Sequence, residues 1–264
     1  MKQRKPKLGQ NFLSDESIAR RIIDALGDIS HCVVVEIGPG KGALTRGLLQ
    51  RARSLITVEY DRTLTTELRE KFSTAMNLEV VEADAVNLDH RKILSERVPA
   101  KLVGNLPYYI TSDLLLSFFK ASACYSEMVL MVQREVAERV CASPGRKEYG
   151  MLSVTAQLYC ECELLFIVPP EAFTPRPKIH SAVMRLIVAP KIDMLKVEEG
   201  PFIEFLKLCF SQKRKTLFNN LRQQHPSEHT QEALRSAGVR ADIRAEAVPL
   251  MTLAAIFNEL KKRI

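Results

Sequence analysis

Residues 101–106, KLVGNL, form a short hydrophobic run that ends in Asn105 and Leu106 and is followed by Pro107 and Tyr108. An Asn side-chain oxygen and a backbone carbonyl at a proline-fixed turn both accept hydrogen bonds, and a Tyr ring offers a flat face. The exocyclic amine of a nucleobase is a poor nucleophile because its lone pair is delocalised, and two such acceptors would draw its nitrogen towards tetrahedral geometry. The stretch favours activation of a base amine, with the base stacked on Tyr108. An ordinary strand-to-helix turn containing proline is the alternative.

The segment EIGPGKGALT, residues 36–45, follows another hydrophobic run. Its glycines permit a tight turn and let backbone N–H groups approach a ligand at the start of the next helix. Gly38, Gly40 and Ala43 also satisfy the relaxed dinucleotide fingerprint, so nicotinamide chemistry stays open at this point. Glu36 is interpreted as a residue that organises this loop, or as a buried or capping carboxylate.

Two carboxylates end the next two predicted strands. Glu59 lies 21 residues after Gly38, the place and spacing for a carboxylate that accepts hydrogen bonds from ribose hydroxyls. Asp84 could accept a hydrogen bond from an exocyclic amine of the ligand's base. Three successive strand ends therefore carry groups compatible with an adenosine-containing cofactor.

These side chains must be positioned by a sheet, and the hydrophobic pattern predicts one. Candidate strands cover 32–38, 54–61, 78–84, 101–106 and 127–133, with helical spacing between them. Strands apolar on both faces are typical of a parallel sheet covered by helices, so the predicted fold class is α/β, a Rossmann-like doubly wound sheet.

The pattern changes after the fifth strand. Two further strand-like runs lie around 161–168 and 180–188, and from about 190 onwards the pattern is only helical, over 201–210, 213–222, 228–236 and 249–262. We therefore predict a first domain over 1–189, which includes a basic tail at 1–7, and a small C-terminal α-helical domain over 190–264.

Composition limits the classes of protein. The chain of 264 residues is 46% hydrophobic, enough for a substantial core, and no apolar stretch approaches the roughly 18 residues of a membrane span. The N-terminus is polar rather than signal-like, so a cytoplasmic location is expected. Six scattered cysteines without a Cys-x-x-Cys pair indicate neither a disulfide framework nor a zinc site. Pro226 lies between His225 and His229 and disfavours a shared metal, so no metal site is predicted.

The net charge of +7 is unevenly distributed. Residues 1–7, 8–169 and 170–264 carry net charges of +4, −3 and +6. Positive charge at both ends of the chain is expected if the ends bind a polyanion, although a solvated surface is the alternative. For residues 1–7, a disordered tail and an RNA contact are both open interpretations.

The chain resembles the S-adenosylmethionine-dependent ribosomal RNA small-subunit adenine N6,N6-dimethyltransferases. The matching segments extend over essentially the whole chain: Gly9–Leu13, Gly38–Thr45, Glu59, Asp84, Asn105–Tyr108, Phe173–Lys178 with Ser181, and Phe210–Leu217 with Asn219–Leu221. The resemblance implies a methyltransferase domain with an RNA-interacting helical domain. It further implies dimethylation of two adjacent adenosines in a hairpin loop of small-subunit ribosomal RNA, within a pre-ribosomal particle, by a monomer that takes part in subunit maturation.

The resemblance also implies residue roles. The expected S-adenosylmethionine contacts are Asn11, Leu13, Gly38, Glu59, Asp84 and Asn105. On the target side, Asn105 would accept from the amine, Leu106 and Pro107 would present backbone acceptors, Tyr108 would stack on the base and Phe173 would close its other face. Tyr109 has no firm assignment, because an Asn often stands there in the family.

Basic residues supply the expected RNA contacts. The residues implied are Lys178, Lys213, Arg214 and Lys215, with Lys2, Arg4, Lys5, Lys7 and Arg176 as further candidates. Such contacts to phosphates give affinity that falls with salt. A nicotinamide-dependent oxidoreductase and a ribosome-assembly factor with secondary catalysis are the alternative functions.

Overall fold

A computed structural model describes residues 11–262, so the tail at 1–7 and the matching residues Gly9 and Gln10 lie outside the described part. The strands of the described part are β1 Phe12–Leu13, β2 Val33–Ile37, β3 Ser54–Glu59, β4 Leu78–Glu82, β5 Ala100–Asn105, β6 Tyr125–Gln133, β7 Cys160–Val168, β8 Phe173–Thr174 and β9 Ser181–Val188.

Helices connect most of these strands and predominate after β9. In the described part they are α1 Glu16–Asp24, α2 Thr45–Arg51, α3 Arg62–Lys71, α4 His90–Leu94, α5 Thr111–Lys120, α6 Arg134–Val140, α7 Met151–Tyr159, α8 Ile192–Leu195, α9 Glu199–Cys209, α10 Leu217–Leu221, α11 Ser227–Ser236 and α12 Leu250–Lys261. Among them, none is both long and apolar enough to cross a membrane.

The large sheet has the strand order β4-β3-β2-β5-β6-β9-β7. The pairs β2–β3, β3–β4, β2–β5 and β5–β6 are parallel, and β6–β9 is antiparallel. The chain moves outward from β2 in one direction and then returns to add β5 on the other side, which is the doubly wound arrangement. The predicted fold class is confirmed, and the switch point between β2 and β5 is where such sheets bind ligands.

The strands form because their residues are apolar on both faces. Val34, Val35 and Ile37 of β2 are at most 2% exposed, and Leu102 and Val103 of β5 are fully buried. Helix α1 turns Ile18, Ile22 and Ile23 into the core beside β2, while its charged residues face outwards. This packing holds the carboxyl ends of the central strands in fixed positions.

A second, two-stranded sheet lies outside the large one. Strand β1 pairs antiparallel with β8, so that Phe12 faces Thr174 and Leu13 faces Phe173. Two residues per strand are too few to show a period, and the hydrophobic pattern did not predict either strand. Their pairing fixes the segment that leads into α1.

The chain divides into two units. One contains the chain up to Ala137 together with Glu163–Val188, and the other contains Glu138–Cys162 and the chain from Ala189 onwards. The predicted boundary after residue 189 lies one residue from the observed one. The assignment of 138–162 to the first domain differs from the structure, because α7 packs against α9 and α12. Tyr159 Oη also donates to Glu199 Oε1 at 2.5 Å, and a contact so distant in sequence leaves no local pattern.

Candidate active site

A cavity of about 470 Å³ opens at the carboxyl ends of β2, β3 and β5. Its walls include nine of the predicted site residues: Asn11, Leu13, Gly38, Glu59, Asp84, Asn105, Leu106, Pro107 and Tyr108. The volume is in the range of small-molecule sites. The sheet therefore brings together side chains that are up to 97 positions apart in the sequence.

The glycine loop after β2 forms one wall. Gly40 has φ +54°, and a Cβ there would lie 3.0 Å from Cδ1 of Phe12. Gly38 has φ +65°, and a Cβ there would lie 3.7 Å from the backbone oxygen of Asn105, which shows how closely the ends of β2 and β5 approach. Any residue with a side chain would be strained at these positions, so the backbone itself faces the cavity.

Glu59 is held at the end of β3 by three backbone N–H groups. Its Oε1 accepts from Tyr60 at 2.9 Å and from Asp61 at 3.0 Å, and its Oε2 accepts from Gly40 at 3.2 Å. Burial raises the pKa of this carboxyl, while the three hydrogen bonds oppose the rise. Oε2 accepts from Gly40 and keeps a second lone pair for a hydroxyl of a ligand.

Asp84 follows β4 by two residues instead of ending it, which differs from the predicted strand. Its Oδ1 accepts from the Val86 N–H at 2.9 Å, and its Oδ2 accepts from Nδ2 of Asn87 at 2.8 Å. These bonds fix the carboxylate at the cavity wall. Each oxygen retains a lone pair that can accept from a base amine.

Asn105 is the last residue of β5 and reaches the segment before β1. Its Nδ2 donates to the backbone oxygen of Asn11 at 3.2 Å. This bond uses one N–H of the NH2 group and holds the side-chain amide in place. Oδ1 is then the side-chain atom available to accept from a ligand.

The two predicted backbone acceptors, the carbonyls of Leu106 and Pro107, differ in the hydrogen bonds that they already accept. The Pro107 carbonyl accepts from the Ile110 N–H at 3.3 Å and from Oγ1 of Thr111 at 2.9 Å, which uses both lone pairs. The Pro107 carbonyl is therefore already hydrogen-bonded in this structure, and its role as an acceptor for the target amine stays a prediction. The Leu106 N–H donates to Met131, and among the hydrogen bonds found in residues 11–262 none ends on the Leu106 carbonyl. Leu106 is the backbone acceptor that remains.

The two tyrosines that follow lie on the cavity wall. The Tyr108 hydroxyl bonds with Oγ of Ser181 at 2.7 Å, so the half-buried ring has a fixed position. Burial raises the pKa of Tyr108, which keeps the hydroxyl neutral. Tyr109 is 56% exposed, and its pKa is raised by burial and then by the charges of Glu59 and Asp84. The structure thus places Tyr109 on the carboxylate side of the cavity, a position that sequence reasoning missed.

Phe173 does not line the cavity. Its side chain is 3% exposed and packs in the core with Leu13, its partner across the β1–β8 pair. The ring has no open face in the structure, so its predicted position against a target base is not found. Its contacts instead hold β1, and with it Asn11, next to β5.

Glu36 is buried beneath the glycine loop. Its Oε2 accepts from Oγ1 of Thr45 at 2.7 Å, which ties β2 to the first residue of α2. Burial raises the pKa of Glu36 to about 8 in spite of this bond. The carboxyl is therefore mainly protonated at neutral pH, and its hydrogen bond supports the interpretation of a residue that organises the loop.

The predicted RNA contacts lie outside the cavity. Lys178 is exposed in the loop before β9. In the helical unit, Lys213, Arg214 and Lys215 are exposed in the loop between α9 and α10. That loop is tied to the protein by Asn220, whose Nδ2 donates to the backbone oxygens of Cys209 at 2.7 Å and Gln212 at 3.3 Å.

Comparison with known proteins identifies relatives over the whole length of the chain. The family described as Ribosomal RNA adenine dimethylase matches residues 1–262. A protein of Koribacter versatilis named Ribosomal RNA small subunit methyltransferase A is 49% identical over 98% of this chain and 95% of its own length. The protein of the same name from Enterococcus faecalis is 36% identical over 98% of this chain and 90% of its own length.

Solved structures agree with the sequence relatives. A dimethyladenosine transferase from Plasmodium falciparum superposes with a TM-score of 0.82 at 26% identity, covering 96% of this chain and 98% of its own. The 23S rRNA methyltransferase ErmE superposes with a TM-score of 0.73 at 30% identity, covering 95% and 100%. The chain belongs to the ribosomal RNA adenine dimethylase family.

Proposed function

We propose that this protein transfers methyl groups from S-adenosylmethionine to adenine N6 in small-subunit ribosomal RNA, twice at each base, to give N6,N6-dimethyladenine. The observation that carries the proposal is the pair of free acceptors, Asn105 Oδ1 and the Leu106 carbonyl, beside the fixed ring of Tyr108. Family membership supports the reaction class.

The cavity fits the proposed cofactor. Adenosine carries ribose hydroxyls and a base amine, and the wall offers a carboxylate lone pair for each at Glu59 and Asp84. The positive φ of Gly38 and Gly40 leaves backbone beside the space for the charged amino-acid part. When bound, S-adenosylmethionine would supply a methyl group activated by its attachment to a positively charged sulfur.

The protein's contribution is positioning. In the first transfer, Asn105 Oδ1 and the Leu106 carbonyl would accept from the two N–H groups of adenine N6, which turns the nitrogen lone pair out of the ring plane. In the second transfer, one of these acceptors would hold the single N–H that remains. Tyr108, held through Ser181, would fix the plane of the base. Orientation of this kind is worth roughly 7–11 kcal/mol of a barrier. The alkylated nitrogen is acidic and loses its proton readily, so no His or Lys is assigned as a general base.

Small-subunit RNA is the favoured substrate class. The relatives named for the small subunit are up to 49% identical, whereas ErmE, named for 23S rRNA, is 30% identical. The proposal includes two adjacent adenosines in a hairpin loop, a pre-ribosomal particle as partner and a role in subunit maturation. It also includes action in the cytoplasm.

A single chain is proposed to suffice. The proposal is that the protein acts as a monomer, with the catalytic cavity lined within the first unit. The division into a methyltransferase domain and a helical RNA-interacting domain is part of the same proposal. This division is supported by exposed basic residues on both units: Lys213, Arg214 and Lys215 on the helical unit, and Lys178 on the other.

A methyl-transfer assay tests the proposal. The protein is incubated with labelled S-adenosylmethionine and small ribosomal subunits that lack the modification, and the RNA is digested to nucleosides. Labelled N6,N6-dimethyladenosine is expected from small subunits, and large subunits serve as the matched control. A folded, cofactor-binding protein that yields no dimethyladenosine contradicts the proposal, and product from large subunits alone contradicts the assigned substrate.

A further inference from the structure

A second cavity, which we call the α1–α2 cleft, lies between helices α1 and α2. Its volume is about 540 Å³, and Lys71 at the end of α3 forms part of its wall. The α1–α2 cleft shares Leu13, Lys41 and Ala43 with the catalytic cavity. The two spaces are therefore neighbours on the same unit of the protein.

The shape of the α1–α2 cleft follows from small residues where the helices meet. A Cβ on Gly47 of α2 would lie 2.6 Å from Cδ1 of Ile23 of α1, so the glycine lets the helices approach at their base. Ala19 and Gly42 also line the space and leave it unfilled. The wall is then formed mainly by long polar side chains that project around it.

Positive charge predominates along this wall. The basic residues that line it are Arg20, Lys41, Arg46, Arg51 and Lys71, and the acidic residues are Asp15, Glu16 and Asp24. Arg51 is paired with Asp24 at 2.6 Å. Oδ1 of Asp15 caps α1 by accepting from the N–H groups of Ser17 and Ile18. Four cations that are not paired with Asp24 remain in the wall: Arg20, Lys41, Arg46 and Lys71. The acidic residues that remain beside them are Asp15, which caps α1, and Glu16.

Two of these cations are held close to the catalytic cavity. Nζ of Lys71 donates to the backbone oxygen of Lys41 at 2.6 Å, and Nζ of Lys41 lies 4.9 Å from the centre of the Phe12 ring. Within residues 11–262, Arg20, Arg46 and Lys71 form no ion pair with a carboxylate. Their charge is available to an anion that enters the α1–α2 cleft.

We propose that the α1–α2 cleft binds the phosphodiester backbone of the substrate RNA next to the target adenosine. The inference rests on the proposed function, because a nucleotide that places its base in the catalytic cavity brings its two phosphodiesters to the rim. Arg and Lys at such a rim supply sequence-independent affinity and fix the register of the strand. The shared residues Leu13, Lys41 and Ala43 give the strand a continuous path from one space to the other.

The test neutralises two cations that line the α1–α2 cleft and do not line the catalytic cavity, Arg46→Gln with Lys71→Gln. Binding of a hairpin RNA that carries the target adenosines is measured at several salt concentrations. We expect affinity at low salt to fall about tenfold, and the slope of log K against log salt to decrease by roughly 1–2, since each phosphate contact contributes about 0.7–0.9. Affinity for S-adenosylmethionine should stay unchanged.

A matched control removes the same charge elsewhere on the unit. Arg53 and Lys92 are exposed and line neither cavity, so Arg53→Gln with Lys92→Gln should leave the slope as in the wild type. Arg20→Gln is a second, independent variant of the α1–α2 cleft, for use if the double variant fails to fold. An unchanged slope in the cleft variants, or an equal decrease in the control, overturns the proposal.

Two further experimental outcomes would each have a different meaning. Binding of inorganic phosphate or ATP to the α1–α2 cleft, lost in the Arg46→Gln, Lys71→Gln variant without any change in RNA binding, would assign it to a small phosphate ligand and overturn the proposal. Failure of the wild-type protein to form dimethyladenosine refutes the proposed function instead. If the wild-type protein methylates RNA and the cleft variants bind RNA normally, only the proposed role of the α1–α2 cleft is refuted.

Discussion

Asn105 combines two tasks in one side chain. Its Nδ2 is bound to the Asn11 carbonyl at 3.2 Å, and its Oδ1 is the acceptor assigned to the target amine. Asn105→Ala removes that acceptor and leaves Glu59 and Asp84 in place. We expect single-turnover methyl transfer to fall by about 10²- to 10³-fold, as for other groups that stabilise a transition state. Cofactor affinity, measured by calorimetry, should fall much less.

A matched variant separates the two tasks of Asn105. Asn105→Asp keeps an acceptor oxygen and loses the NH2 group that donates to Asn11. Its rate should lie between those of the wild type and Asn105→Ala. Near-normal transfer by Asn105→Ala would refute the role in amine activation.

Glu36 should make stability depend on pH. Burial raises its pKa to about 8 in the folded protein, from an ordinary value of 4.5. Between these values the folded protein keeps the proton and the unfolded chain releases it, so the free energy of unfolding falls as the pH rises. The total change is on the order of a few kcal/mol, at about 1.4 kcal/mol per pKa unit.

The test of this dependence is Glu36→Gln, which keeps an uncharged acceptor for the Thr45 hydroxyl. Denaturant unfolding of both proteins from pH 4.5 to pH 8.5 should show a flatter profile for the variant. Identical profiles would mean that Glu36 does not carry the proton in the folded protein.

Single residues also show how much of the catalytic cavity can be predicted from the sequence alone. Gly38, Glu59, Asp84 and Asn105 were predicted correctly as cavity residues, because each lies at or just after the carboxyl end of a parallel strand. Sequence reasoning missed the Thr111 hydroxyl, which donates to the Pro107 carbonyl at 2.9 Å. A Thr hydroxyl commonly donates to the carbonyl four residues earlier, so the spacing of Pro107 and Thr111 is the signal that could have revealed the contact.

At the scale of elements, Asn220 holds the loop between α9 and α10. It is 1% exposed, and its Nδ2 donates to the carbonyls of Cys209 and Gln212, on either side of the start of this loop. Asn220→Ala leaves these carbonyls without that donor, which should cost about 1–3 kcal/mol of unfolding free energy. RNA affinity should fall as the loop with Lys213–Lys215 loosens, while cofactor affinity stays constant.

The neighbouring Asn219 supplies the control for this prediction. Asn219 is exposed, and its hydrogen bond to Oγ1 of Thr216 uses the backbone N–H rather than the side chain. Asn219→Ala should therefore change stability and RNA binding little. Equal effects of the two substitutions would show that the tether does not position the loop.

Elements with a clear period were predicted, and those set by single contacts were not. The strands at 160–168 and 181–188 agree with the predicted runs within one residue. The helix predicted over 213–222 begins only at Leu217, because Oγ1 of Thr216 accepts from the Asn219 N–H and caps it there. The basic residues before it consequently lie in a loop and are exposed.

At the scale of the whole molecule, the excess positive charge belongs to the ends of the chain. Residues 170–264 carry a net charge of +6, and the middle of the chain is slightly negative. Such a distribution predicts RNA binding that weakens with salt. It does not distinguish attraction by net charge from contacts made by particular residues, so the distinction has to come from matched variants.

Charge reversal at Lys213, Arg214 and Lys215 makes that distinction. If these exposed residues contact phosphates, the triple Glu variant should bind RNA more weakly and decrease the salt slope by roughly 2–3, at about 0.7–0.9 per contact. The control reverses Lys207, Arg235 and Lys262, exposed cations of the same unit that are paired with Glu204, Glu232 and Glu259. It changes the net charge equally and should decrease the slope less. Equal slopes in the two variants would assign RNA binding to net charge alone, and the loop would then be part of the solvated surface.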